Sequence, residues 1–158
     1  MSVAHTEARN ARKVAVLELP IDPKEIRTAQ QKGERVVFGR NGKPFVHHYT
    51  KSKVAKSQRA LSTLILSAKN KAGWICARRE TPVYVSAEFV YPLGSLPKKM
   101  QGKEKTTRPD IDNLLKGLFD ACTGCRLWED DSQVQIAQAV KRYAVEGETP
   151  KVVLMLRA

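Results

Sequence analysis

The sequence predicts a single α+β domain in which one mixed β-sheet has two main helices packed on it. Three observations lead to this fold class. The length of 158 residues suits one domain with its own apolar core. Runs with alternating apolar residues and runs with helical spacing follow each other in the order strand, hairpin, helix, strand, helix, strand, strand. No internal repeat or linker interrupts this order, so residues 1–158 are expected to form one domain.

The first elements are a flexible start and a strand. Residues 1–12 are polar and are expected to be flexible. The β-prone run Val14–Leu19 predicts the first strand, and Pro20 and Pro23 mark its end.

A β-hairpin is predicted next. Two β-prone runs, at 35–38 and 45–49, flank an Asn-Gly pair at 41–42, which is a strong hairpin signal. The tip carries Arg40 and Lys43, which are candidates for contact with a phosphate backbone. A solvated turn explains the same two charges equally well.

The middle of the chain predicts a helix and a long strand. Small or apolar residues keep helical spacing from 53 to 71, and most of the basic residues of this segment fall on the other face. Residues 81–91 then alternate, which places Val83, Val85, Ala87, Phe89 and Tyr91 on one face of a strand.

A basic loop follows this strand. Residues 92–108 contain glycines and prolines and keep no period, so they are expected to form a mobile loop. Long loops in small domains tend to be functional or disordered. The loop supplies further candidates for nucleic-acid contact: Lys98, Lys99, Lys103, Lys105 and Arg108.

The last part of the chain predicts a helix and two strands. Apolar residues between Ile111 and Cys122 form a stripe that must face the core of the domain, so residues 110–122 are expected to be helical. Strands are predicted at 133–145 and 151–156, and the second is apolar enough to be interior.

Composition narrows the classes of partner. The formal net charge of +12 favours nucleic acid. No apolar run approaches the roughly 20 residues that span a bilayer, and the first residues lack the apolar core of a signal peptide, so a cytoplasmic protein is expected. The cysteines, Cys76, Cys122 and Cys125, are odd in number, which argues against a disulfide framework. The CxxC at 122–125 is interpreted as core packing, because a zinc site usually needs a second pair.

The strongest clue to function is a reversal of charge. Six of the 16 acidic residues, but only two of the 28 basic residues, lie between Asp110 and Asp131. Hard divalent cations such as Mg²⁺ prefer carboxylate oxygens, so this cluster predicts a metal site in a protein that also binds a polyanion.

A purely structural explanation also fits the first half of the cluster. Asp110 can cap the helix, and Asp112 can pair with Lys116 one turn later, which together stabilise by about 1–2 kcal/mol. The second group, at 129–131, lies at a strand start, where three consecutive carboxylates are expected to have no capping role and to repel one another unless a cation or a basic partner neutralises them. An ordinary acidic surface turn is the alternative for this group. Phosphodiester hydrolysis, in contrast, needs metal-binding carboxylates and a cation near the developing charge.

The order of these residues resembles the RusA family of phage and prophage Holliday junction resolvases. The pattern D-x-D-N-x-x-K stands at 110–116, D-A at 120–121, and W-x-D-D-x-Q-V at 128–134. The resemblance implies a RusA-like fold and makes Asp110, Asp112 and Asp131 the catalytic carboxylates that bind Mg²⁺, with Mn²⁺ as a possible substitute, and Lys116 the catalytic lysine. It also implies a homodimer that cuts four-way DNA junctions by paired symmetric nicks in DNA recombination, repair or phage DNA processing, inside a bacterial cell.

Two hypotheses from different classes remain open at this point. The first is a metal-dependent, structure-selective endonuclease that acts on four-way junctions or on other branched DNA such as flaps and replication forks. The second is a basic DNA-binding module without catalysis, whose acidic residues only cap and pair. An enzyme would lose its activity when Asp110, Asp112 or Asp131 is neutralised. A binding module would bind DNA at least as tightly after the same change as before it.

Overall fold

The element order agrees with the sequence. The computed structural model of the protein describes residues 13–27, 32–50 and 52–158, and the expected flexibility of residues 1–12 lies outside this part. The strands and helices are β1 (Val14–Leu19), β2 (Lys32–Phe38), β3 (Pro44–Thr50), α1 (Ser52–Lys71), β4 (Val83–Tyr91), α2 (Ile111–Gly124), β5 (Val134–Tyr143) and β6 (Lys151–Arg157). The predicted α+β class is confirmed.

The main sheet is mixed and has four strands in the order β1-β6-β4-β5. β6 is antiparallel to both of its neighbours, whereas β4 and β5 are parallel. Parallel strands need a crossover connection, and α2 supplies it. The start of β4 therefore pairs with the start of β5, at Val83 and Val134, and the ends meet at Tyr91 and Tyr143.

One face of the sheet forms the core. The alternation predicted for β4 is confirmed, because Val83, Val85, Ala87, Phe89 and Tyr91 are all buried. In β6, Val152, Leu154 and Leu156 are buried, but Met155 between them is 49% exposed. The strand is interior in the order of the sheet, yet only one of its faces is covered.

The hairpin departs from the expectation of a single sheet. β2 and β3 pair with each other, with Val36 opposite Val46, and form a separate two-stranded sheet. The predicted turn is present, with Gly42 at φ +72° and the Gly39 N–H donating to Lys43 O at 3.0 Å. Alternation along two strands shows that they are strands, but it does not show which other strands they join.

The cysteines confirm the core interpretation of the CxxC. Cys122 and Cys125 are buried and unoxidised. Cys125 Sγ donates to the backbone oxygen of Ser62 at 3.4 Å. Burial raises the pKa of both thiols, which disfavours the reactive thiolate.

Within residues 13–27, 32–50 and 52–158, no helix is both long and apolar enough to cross a membrane.

Candidate active site

Helix α2 starts at a carboxylate that does not cap it. Asp110 has the extended backbone of an N-cap residue, with φ −70° and ψ 144°, but its side chain makes no capping hydrogen bond. The backbone oxygen of Asp110 accepts the first helical hydrogen bond, from Leu114 N at 3.2 Å. The carboxylate is exposed and available to a ligand, so the capping explanation does not account for it.

The next two predicted residues are exposed on the first turns of the same helix. Asp112, Lys116 and Asp120 all face solvent, as expected from their spacing of four. No ion pair joins Lys116 to Asp112 among the contacts of the described residues. The ion pair between Asp112 and Lys116 that the structural explanation requires is therefore not formed.

The second acidic group follows the helix and is anchored by Trp128. The Trp128 ring is buried and meets Phe119 edge to face, with 5.4 Å between the ring centroids. Its Nε1 donates to Thr123 Oγ1 at 2.7 Å. This buried anchor fixes the path of the chain between α2 and β5.

The expectation that no carboxylate of this group has a capping role is wrong for Asp130. Its side chain accepts from Ser132 N at 2.9 Å, and the Gln133 side chain accepts from Asp130 N at 3.0 Å. The Asp130 side chain also accepts from the backbone N–H of Gln133, and this bond and the bond to the Gln133 side chain form a capping box on the short turn Asp131–Gln133. The hydrogen bond from Ser132 is the main cause that lowers the pKa of Asp130.

Gln133 has a structural role that the sequence reasoning missed. Its side chain is buried, and Nε2 donates to Arg78 O at 2.7 Å and to Thr81 O at 3.1 Å. The turn is thereby attached to the segment that precedes β4. The signal was present as the Q of the W-x-D-D-x-Q-V pattern, but nothing in the sequence indicated its partners.

Asp131 is exposed and lies at the other end of the crossover from Asp110 and Asp112. It precedes β5, whose start pairs with the start of β4, whereas Asp110 follows the loop that leaves the end of β4. The helix between them has 14 residues and is therefore about 21 Å long. In the part of the chain that the structure describes, no three acidic, His or Cys side chains lie close enough together to hold a metal ion.

The donor set at the helix start nevertheless fits Mg²⁺. Among the described residues, the exposed carboxylates of Asp110 and Asp112 have no ion-pair partner, and Asp110 makes no capping bond. Mg²⁺ binds through one or two carboxylates while it keeps several waters. The assignment of Asp110, Asp112 and Asp131 as ligands stays a prediction, as does the role of Lys116.

Six of the seven predicted DNA-contacting residues are exposed, namely Arg40, Lys43, Lys98, Lys99, Lys103 and Arg108. The hairpin turn holds the first two, and the basic loop holds the others. Lys105 differs because it is only partly exposed and donates to Arg108 O at 2.8 Å.

The second half of the basic loop is attached to the end of β5. Gly102 N donates to Tyr143 O at 3.2 Å, Tyr143 N donates to Lys103 O at 2.9 Å, and Lys105 N donates to Lys141 O at 2.8 Å. These bonds place the loop beside the exposed edge of β5. The mobility expected for residues 92–108 stays a prediction.

Comparisons with known proteins agree with this arrangement. The family model described as Endodeoxyribonuclease RusA matches residues 27–157. The crossover junction endodeoxyribonuclease rusA of Lactococcus phage r1t is 32% identical over 114 residues, which cover 72% of this chain and 78% of that protein. The uncharacterized protein YqaN of Bacillus subtilis strain 168 is 32% identical over 136 residues, covering 79% of this chain and 91% of the relative. The chain belongs to the RusA family of endodeoxyribonucleases.

Proposed function

We propose that this endodeoxyribonuclease resolves four-way DNA junctions by paired, symmetric phosphodiester hydrolysis that depends on Mg²⁺. The observation that carries the proposal is the start of α2 in a strongly basic chain, where Asp110 and Asp112 are exposed and form no ion pair with any residue that the structure describes. The name of the phage relative, a crossover junction endodeoxyribonuclease, supports the choice of substrate. Flaps and replication forks are the second class of substrate, because the same site can cut any branch that reaches it.

The residues at the helix start have distinct chemical roles. When bound, Mg²⁺ polarises a phosphoryl oxygen and lowers the pKa of a water molecule. Asp110 and Asp112 would bind and orient it at the start of α2, and the predicted role of Asp131 requires its carboxylate to be brought to this ion from the other end of the crossover. Lys116, one turn after Asp112, stabilises the negative charge that develops on the phosphate in the transition state.

The partners follow from charge and symmetry. The net charge of +12 and the exposed basic residues of the hairpin and loop suit a DNA backbone, so binding should weaken steeply with salt. A junction with two-fold symmetry that is cut at two places needs two active sites, which a homodimer supplies. We expect the enzyme to act in the bacterial cytoplasm, where such DNA is found, and the phage relative favours an origin in a phage or prophage.

The test compares a synthetic four-way junction with a linear duplex of the same sequence, each with Mg²⁺, Mn²⁺ or a chelator. The variants are Asp112→Asn and, as a matched control, Glu129→Gln, which removes an exposed carboxylate outside the predicted ligand set. We expect paired nicks in the junction alone, with Mg²⁺ or Mn²⁺, for the wild type and Glu129→Gln. Asp112→Asn should bind the junction in chelator as tightly as the wild type and cut it at least about 100-fold more slowly.

Two results would contradict the proposal. Cleavage by Asp112→Asn at the wild-type rate would show that the metal site lies elsewhere. Binding of the junction without cleavage under any metal condition would return the chain to the class of DNA-binding modules.

A further inference from the structure

Two lysines hold the backbone segment that leads to Asp110. Lys141 Nζ, from β5, donates to Thr107 O at 2.9 Å and to Pro109 O at 2.7 Å. Lys105 Nζ donates to Arg108 O at 2.8 Å, to Thr107 O at 3.3 Å and to Thr107 Oγ1. The three consecutive backbone oxygens before Asp110 are therefore all bound to an ammonium group.

The ammonium group of Lys105 is held on its other side by aromatic rings. It lies 5.1 Å from the ring centroid of Tyr91 and 5.8 Å from that of Tyr143, at the paired ends of β4 and β5. Both distances are within the range of a cation–π contact. The Lys105 N–H also donates to Lys141 O at 2.8 Å, so the two lysines are joined through the backbone.

These contacts leave Lys105 little capacity for another ligand. An ammonium group has three N–H donors, and its three acceptors here match that number. Neither Lys105 nor Lys141 forms an ion pair with a carboxylate within the described residues. Both ammonium groups donate to backbone oxygens, and these contacts restrain the conformation of the segment.

The position of the segment gives the contacts their significance. Pro109 O belongs to the same peptide group as the backbone N–H of Asp110. The bond from Lys141 therefore restrains the orientation of the peptide plane between Pro109 and Asp110. The Asp110 side chain makes no capping bond of its own. Its carboxylate is thus oriented by the backbone behind it and not by a contact of the side chain.

We propose that Lys141 and Lys105 are positioning residues that fix Asp110 for metal binding. The proposal rests on the proposed function, because it requires that Asp110 is a metal ligand. Groups that orient metal ligands from behind typically change metal affinity about 10- to 100-fold when they are removed. The competing role is direct binding of the DNA backbone by the same two lysines, which would be independent of metal.

The experiment measures Mn²⁺ affinity by calorimetry without DNA, and junction affinity in chelator at several salt concentrations. The variants are Lys141→Met and Lys105→Met, which keep most of the apolar length of the side chain. Lys103→Met is the matched control, since Lys103 is an exposed lysine of the same loop. Asp110→Asn is included to measure how far Mn²⁺ affinity falls when a predicted ligand is removed. Thermal unfolding shows whether each variant is folded. If the two lysines only stabilised the fold, their folded variants would keep the Mn²⁺ affinity of the wild type.

We expect Lys141→Met and Lys105→Met to weaken Mn²⁺ binding about 10-fold or more, while Lys103→Met leaves it unchanged. Their junction affinity in chelator should stay closer to that of the wild type than the affinity of Lys103→Met, because Lys103 is a predicted DNA contact. The proposal is overturned if both variants keep their Mn²⁺ affinity within about twofold of the wild type. If Lys141→Met does not fold, the same result for Lys105→Met alone overturns it. If Asp110→Asn also binds Mn²⁺ like the wild type, the failure lies in the proposed function and not in the positioning role.

Discussion

Asp130 and Asp131 are adjacent acidic residues with different surroundings. The Asp130 side chain accepts a hydrogen bond from Ser132 N at 2.9 Å and belongs to a capping box. Asp131 is the first residue of the turn and faces solvent. One carboxylate caps the local backbone, and the other is a predicted metal ligand without a capping role.

The two residues should therefore separate stability from activity. We expect Asp130→Ala to lower the free energy of unfolding measurably, because it removes the cap of the turn, and to keep measurable cleavage. Asp131→Ala should leave stability unchanged within about 0.5 kcal/mol and slow junction cleavage at least about 100-fold. Urea unfolding and a single-turnover cleavage assay measure the two quantities. The opposite pattern would mean that Asp130 is the ligand.

At the scale of elements, an ion cluster joins three segments at the end of the sheet. Arg142 of β5 donates from Nε to Glu88 of β4 at 2.6 Å and from Nη1 to Glu148, in the turn before β6, at 2.6 Å. The hydrogen bond from Arg142 lowers the pKa of Glu148 to about 2. The Glu148 side chain is only 15% exposed, so water screens the pair weakly.

This cluster predicts a pH dependence of stability. Because the pKa of Glu148 is lower in the folded state, its contribution is complete above its ordinary value near 4.5 and is lost as the pH falls toward about 2. Glu148→Gln should lower the free energy of unfolding by about 2 kcal/mol at pH 7. The difference from the wild type should shrink as the pH falls through this window. Glu146→Gln, an exposed change in the same turn, is the control in urea unfolding, and equal pH profiles for the wild type and Glu148→Gln would contradict the assignment.

The sequence allowed the elements to be predicted better than their contacts. Alternation located β4, and the Asn-Gly pair located the hairpin, because both signals are local. The bonds from Lys141 to Thr107 and Pro109 join residues more than 30 positions apart. Such long-range hydrogen bonds depend on the geometry of the crossover, and a local sequence pattern does not reveal that geometry. Gly117 is a similar case, since an added Cβ would lie 2.9 Å from Ile26 Cγ2, a proximity invisible in the sequence.

At the scale of the whole molecule, the sheet has one covered and one uncovered face. The strand register places Val16 opposite Met155 and Tyr84 opposite both Arg157 and Ile136, so these side chains share the face away from the core. Its exposed apolar residues are Val14, Val16, Ile136, Val140 and Met155. Several exposed apolar residues on one face of a sheet are typical of an interaction site, and the proposed homodimer makes a second copy of the chain the expected partner.

We therefore expect the homodimer to form through this face. Met155 lies on the central strand β6 and is 49% exposed, so Met155→Glu would place a charge in the interface, where an unpaired charge is strongly unfavourable. Val36→Glu is the matched control, because Val36 is an exposed apolar residue of the separate hairpin. Sedimentation should give dimers for the wild type and Val36→Glu and monomers for Met155→Glu, which should still bind DNA but lose paired nicking. A Met155→Glu protein that remains dimeric would place the interface on another surface.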